Sequence, residues 1–281
     1  MWVALPPAAA LAAILPEAID SLSDRHAMAR LTSKVSEILH LDAAFESAAQ
    51  ISSTHLLLPS QFEVADEEHK DMSALYTKAM VRGTTGSAGR QAYDLVRASR
   101  RRCASCNERM TTTVDHYLPK HRFRALAISP QNLTPMCGEC NTNKGMYYGK
   151  TSDSRSIHPY FDDFDAIRWL DAAVNDSDLV VEFSVVKNVL NIEDEKRAEG
   201  HLKRLKLHSF YSQKAAAEIV GFAHLLEKRH AQGGQRAVED LCTEFEATWR
   251  SSEVNSWKAA TWRACALSQF FCDGGFKSFV G

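Results

Sequence analysis

The chain lacks any apolar run long enough to cross a bilayer. Its best candidate, Trp2 to Leu15, is uncharged and Ala-rich. It falls short of the roughly 20 residues that a spanning helix needs, and it is broken by Pro6 and Pro7 and closed by Pro16. No basic stretch precedes it, the first basic residue being Arg25, so it does not have the make-up of a secretory leader. These absences predict a cytoplasmic protein with a buried N-terminal helix and no membrane partner. Net charge is nearly absent as well: 33 Lys/Arg against 35 Asp/Glu leaves −2, which excludes a generic polyanion binder. Proline and glycine are sparse, at 8 and 13 of 281 residues, and no internal repeat or low-complexity tract is present, so fibrous and disordered classes are excluded. The glycine-containing stretch Gly83 to Gly89 has no Lys-Ser/Thr pair after it and is a turn rather than a phosphate-binding loop.

What is present is an ordinary globular composition, 45% apolar and 24% charged, with an uneven distribution of charge. From Arg97 to Lys150 there are ten Lys/Arg against three Asp/Glu, while the rest of the chain is acidic. A basic segment inside an acidic chain points to a local phosphate-binding face. Around it the apolar residues recur at helical intervals, in residues 1–76 and again along Ala215, Ile219, Phe222, Leu226 and Val238, Leu241, Phe245, Trp249. Arg90 to Arg102 predicts a short helix, and the β-branched alternation of Val180 to Ile192 predicts one or two strands. The fold class is therefore α+β and predominantly helical. Three regions are expected: an N-terminal helical region over 1–76, a turn-rich unit over 77–161, and a mostly helical region with a short strand pair over 162–281.

Seven cysteines are an odd number for a disulfide framework, and four of them stand in two C-x2-C pairs, Cys103/Cys106 and Cys137/Cys140, separated by 30 residues. Such a spacing lets both thiolates of a pair reach one tetrahedral ion at about 2.3 Å, and two pairs complete a closed four-sulfur site. The predicted zinc is structural, since a closed site has no open coordination position. Cys242, Cys265 and Cys272 lie in apolar helical patterns and are expected in the core.

Between the two pairs lies Val114-Asp115-His116-Tyr117-Leu118-Pro119-Lys120, followed by Asn132-Leu133 and then Cys140-Asn141-x-x-Lys144. On a strand, Asp115 and His116 point to opposite faces, so one can ligate a metal while the other addresses a water. Phosphodiester hydrolysis needs a base for water, a hard cation for the phosphoryl oxygens, and cations along the backbone. His116 suits the base. Asp115 and Asn141 suit magnesium or manganese, with Asn143 an alternative to Asn141. Lys120, Arg122, Arg124 and Lys144 suit phosphate contacts. His121 and His158 remain structural residues or phosphate contacts.

The ordered pattern C-x2-C, D-H-x-x-P-K, N-L, C-x2-C-N-x-x-K from Cys103 to Lys144 resembles that of the HNH endonucleases, whose core is a ββα-metal unit. The resemblance implies His116 as general base, Asp115 and Asn141 as ligands of a catalytic magnesium or manganese, and Asn132 as the residue that holds the base in place. It also implies a structural zinc on the four cysteines, set between helical flanks. The substrate it implies is nucleic acid, DNA ahead of RNA, with a non-catalytic zinc-stabilised binding module as the competing reading. Tyr93-Asp94-Leu95 and His158-Pro159-Tyr160-Phe161-Asp162 further resemble a group of bacterial HNH proteins associated with ATPases in anti-phage systems of the Septu kind, which implies an ATPase partner.

Overall fold

Pro6 and Pro7 each lack an amide proton and fix the backbone dihedral φ, and the chain around them is non-helical up to Ala10. In the computed structural model, which describes residues 3–64 and 70–279, the first helix is α1, Leu11–Asp20. The N-terminal helix is thus shorter at its start than the sequence predicts, and Trp2 lies outside the described residues. Pro16 does not close it. It sits inside α1, where burial of Leu11, Ile14, Leu15, Ala18 and Ile19 offsets the missing hydrogen bond.

Two compact units follow one another, Met1–Asp163 and Phe164–Gly281. In the first, α1 is followed by α2 (Arg25–Ser33), α3 (Val35–Gln50), α4 (Asp71–Leu75) and α5 (Ala88–Ala98). Asp24 caps α2 by accepting from the amides of His26 and Ala27 at 2.9 and 3.2 Å. From α4 the backbone passes directly into a π-helical segment, Tyr76–Val81. The strands β1 (Thr113–His116) and β2 (Leu133–Met136) pair antiparallel, with Val114 opposite Pro135 and His116 opposite Leu133, and α6 (Gly138–Lys144) follows at once. Pro135 has no amide to donate, which suits a two-stranded ribbon in which each strand is an edge. One hydrophobic cluster unites the helices with this ββα segment: Leu15, Leu31, Phe45, Leu75 and Val96 share it with Val114, Phe123, Leu126 and Leu133.

The second unit begins with a hairpin of β3 (Leu170–Asn175) and β4 (Val180–Val185), then α7 (Ile192–Arg204), α8 (Leu207–Gly221), α9 (Ala223–Ser252), α10 (Trp257–Leu267) and α11 (Gln269–Cys272). On β4, Val181, Phe183 and Val185 are buried in alternation with exposed neighbours. The strand pattern expected up to Ile192 ends earlier, because Asn191 caps α7 through the amide of Asp194 at 2.9 Å. Asn255 fixes the entry to β3. Its amide oxygen accepts from Trp169 and Leu170 at 2.8 and 3.1 Å, and its nitrogen donates to Phe164 and Ile167 at 2.9 and 3.0 Å. Gly233 and Gly234 interrupt α9, Gly234 at φ 62°.

Candidate active site

The four cysteines come together as their spacing predicts. Cys103, Cys106, Cys137 and Cys140 are all buried, with their sulfurs within 4.8 Å of one another. A tetrahedron with arms of about 2.3 Å has edges of about 3.8 Å, so the cluster suits one zinc ion. Four sulfurs that converge this closely form a possible metal site, and a cation among them would let the thiols ionise. The backbone supports it. The amide of Ser105 donates to Cys103 Sγ and that of Cys140 to Cys137 Sγ, both at 3.4 Å. Arg109, after the first pair, forms an ion pair with Glu139 inside the second. The amide of Ala104 donates to Pro135 O on β2 at 3.1 Å, so the first knuckle is fastened to the ribbon that the second one ends.

Asp115 and His116 are neighbours on β1, each only 7% exposed. Different elements meet them. Asp115 Oδ2 receives the ammonium of Lys144, from the last turn of α6, at 2.8 Å. Burial raises the Asp115 carboxyl above the usual carboxylate range, against the opposing pull of Lys144. The same ammonium donates to the His116 carbonyl at 2.6 Å. His116 Nε2 lies 2.8 Å from the Ala127 carbonyl, and an oxygen there requires Nε2 to carry the proton. Nδ1 is then the imidazole atom able to take one up. Burial lowers the imidazole to about 3, with the Ala127 hydrogen bond acting the other way, so the ring is neutral around pH 7.

Asn132, fully buried, makes its side-chain hydrogen bonds to the loop backbone and not to His116. Its Oδ1 accepts from the Leu118 amide at 2.8 Å, and its Nδ2 donates to the carbonyls of Leu118 and Leu126 at 3.0 and 3.2 Å. It therefore staples both ends of the loop between the ribbon strands, and Ala127, whose carbonyl holds His116, is the next residue. Asn141 lies one turn before Lys144 on α6 and donates from Nδ2 to Thr113 Oγ1 at 3.2 Å, so that Oδ1 is its atom able to serve as a ligand. Asn143 is half-buried on the same helix.

The expected phosphate contacts divide. Arg122 is exposed, with its guanidinium 5.6 Å from the Tyr148 ring centre, and Arg124 is half-buried at the start of a 3-10 turn. Lys120 sits 4.2 Å over the ring of Tyr76. Lys144 departs from the expectation: it is buried and turned inward, held by the carboxylate of Asp115 and the carbonyl of His116 rather than presented to solvent. His158 is buried in an aromatic cluster, 4.2 Å from the ring centre of Tyr117 and 4.7 Å from that of Phe161. His121 is exposed.

Sequence reasoning missed Tyr76. Its ring meets His116 edge-on at 4.6 Å between centres, and burial raises its phenol. It lies some 40 positions upstream in a stretch that reads as plain helix, with no signal to single it out.

Comparison with known proteins agrees with the geometry. A family model for the HNH endonucleases matches residues 102–146. The chain is also similar to protein ea31 of Escherichia phage lambda, 26% identical over 240 residues that cover 79% of this chain and 80% of that protein. No solved structure matches. Residues 102–146 of the first unit, with a buried four-cysteine cluster suited to a metal ion, are an HNH endonuclease domain.

Proposed function

We propose that the chain is a metal-dependent endonuclease that hydrolyses phosphodiester bonds in DNA, with His116 as general base. The observation that carries this reading is the adjacent Asp115 and His116 on a ribbon flanked by the four-cysteine cluster, with Nε2 committed to the Ala127 carbonyl. Nδ1 takes the proton of the attacking water as its oxygen bonds to phosphorus and the bond to the leaving oxygen breaks. Asp115 and Asn141 would hold a magnesium or manganese ion, which would supply charge stabilisation at the phosphoryl and leaving oxygens; two oxygen donors suit such a hard cation. Asn132 keeps the loop, and through it the imidazole, in register. Lys120, Arg122 and Arg124 would contact the substrate's phosphodiester backbone. Lys144 holds the Asp115 carboxylate in place.

The likeness of Tyr93-Asp94-Leu95 and of residues 158–162 to Septu-type proteins supports a role as effector of an anti-phage system with an ATPase partner. The nuclease reading is tested with purified protein, magnesium and plasmid DNA, beside total tRNA, with and without the co-purified partner. His116→Ala should lower cleavage by about two to four orders of magnitude. Robust cleavage by that variant would sink the assignment, and preferential digestion of tRNA would move the substrate to RNA.

A further inference from the structure

Outside the residues assigned so far, basic side chains gather on the element just before α5. The helix α4 and the π-helical segment after it run continuously from Asp71 to Val81, with Lys70 at the N-cap and Arg82 at the C-cap. Residues 70, 73, 74, 77, 78 and 82 recur there at the three- and four-residue intervals of one helix face. That face borders a cavity of about 590 Å³ lined by Lys70, Ser73, Thr77, Lys78, Arg82 and His121. Three cationic side chains, two hydroxyls and an imidazole line it, with no carboxylate among the described lining residues. Lys78 and Arg82 are exposed, and the ammonium of Lys78 donates to a neutral group, Ser23 Oγ, at 2.5 Å; both side chains also line a neighbouring cavity that Glu17 and Asp20 border.

The cavity adjoins the candidate base along both chain segments. Thr77 follows Tyr76, whose ring meets His116, and His121 follows Lys120, whose ammonium sits on the Tyr76 ring. The π-helical turn, a form that concentrates at functional sites, carries Tyr76 against His116 while Thr77 and Lys78 face the cavity. Cations and hydroxyls without carboxylates are the donor set of phosphate recognition. The element is roughly 15 Å long, enough to face about two or three phosphates of one strand.

We propose that this face grips the phosphodiester backbone of the substrate beside the scissile bond, so that residues outside the HNH domain supply part of the nucleic-acid interface. The proposal rests on the nuclease reading. Its test uses the full zinc-loaded chain without magnesium, with labelled duplex DNA and labelled single-stranded RNA, and binding followed by anisotropy between about 50 and 200 mM salt. Lys78→Gln/Arg82→Gln is compared with Arg25→Gln/Lys34→Gln, which removes two cations elsewhere in the unit. The expected result is weaker binding by the first variant, with the slope of log K against log salt reduced by about 1.8 on duplex DNA or about 1.4 on the single strand. The second variant keeps the wild-type slope. Should the double variant melt early or lose zinc, Lys78→Gln alone is read instead, with half the drop expected. An unchanged slope in a folded, zinc-loaded variant overturns the proposal. If wild type still cleaves and His116→Ala does not, the nuclease reading survives that failure. A wild type that binds neither strand overturns both.

Discussion

Replacing Asn132 separates a positioning residue from a merely buried one. Its side-chain amide makes three hydrogen bonds to backbone, at 2.8, 3.0 and 3.2 Å, and is 0% exposed. Asn132→Ala strands the amide and the carbonyl of Leu118 in the core, while the Leu126 carbonyl keeps the Ser129 amide at 3.3 Å. An unsatisfied buried backbone group costs about 1–3 kcal/mol, so about 3 kcal/mol is expected in all. For a unit of this size that lowers the melting midpoint by roughly 6–12 °C. Asn132→Asp is the sharper case. It keeps the size and the acceptor for the Leu118 amide, but turns a carboxylate oxygen toward the carbonyls of Leu118 and Leu126. It should therefore destabilise at least as much as alanine. The assay is thermal and urea unfolding of the zinc-loaded chain beside plasmid cleavage, which should fall at least tenfold in both variants because the Ala127 carbonyl no longer holds His116 in place. An Asn132→Asp protein as stable as wild type would refute the assigned amide orientation. Normal cleavage by a destabilised Asn132→Ala would refute the link from that loop to His116.

The purified chain should carry one zinc per molecule by elemental analysis, and Cys137→Ser should lose it together with the protease resistance of residues 102–146. Retained zinc in that variant would show that the four sulfurs are not the ligand set. Lys144→Met leaves the Asp115 carboxylate buried without its cation, a change that costs about 3–5 kcal/mol. Manganese should then raise the melting midpoint of Lys144→Met more than that of wild type, and equal shifts would mean that the ion does not take Asp115. Asn255→Ala removes all four hydrogen bonds that fix residues 164–170. It should lower stability by about 2–4 kcal/mol in urea titration while zinc content stays at one, and a matching loss of zinc would contradict the separate standing of the second unit.

Much of the site was legible in the sequence because its grammar is local. Two residues between paired cysteines, adjacent Asp115 and His116, and a one-turn interval from Asn141 to Lys144 are constraints of chain geometry, and the ribbon and α6 lie where they direct. What was not legible depends on tertiary packing. Lys144 reads as a solvent-facing cation until α6 packs on β1 and its ammonium meets Asp115. Tyr76 reads as a helix residue until the π-helical turn brings it onto His116. Likewise β3, Leu170–Asn175, holds two alanines and little β-branched character, and pairing with β4 makes it a strand where propensity alone does not. Pro16 reads as a stop in the sequence, yet five buried side chains keep α1 intact through it.

The clasp of four cysteines has a consequence for how the molecule matures. Its two knuckles lie just before β1 and just after β2, so one metal on all four sulfurs would tie together the open end of the ribbon that carries Asp115 and His116. A metal that binds only the assembled form contributes its binding energy to folding. A newly made chain that had not taken up such an ion would then lack a fixed ribbon, and with it a fixed imidazole. On the proposed function, metallation would be the step that arms the protein, and zinc starvation or oxidation of the thiols would leave it inert without altering a single residue of the active site.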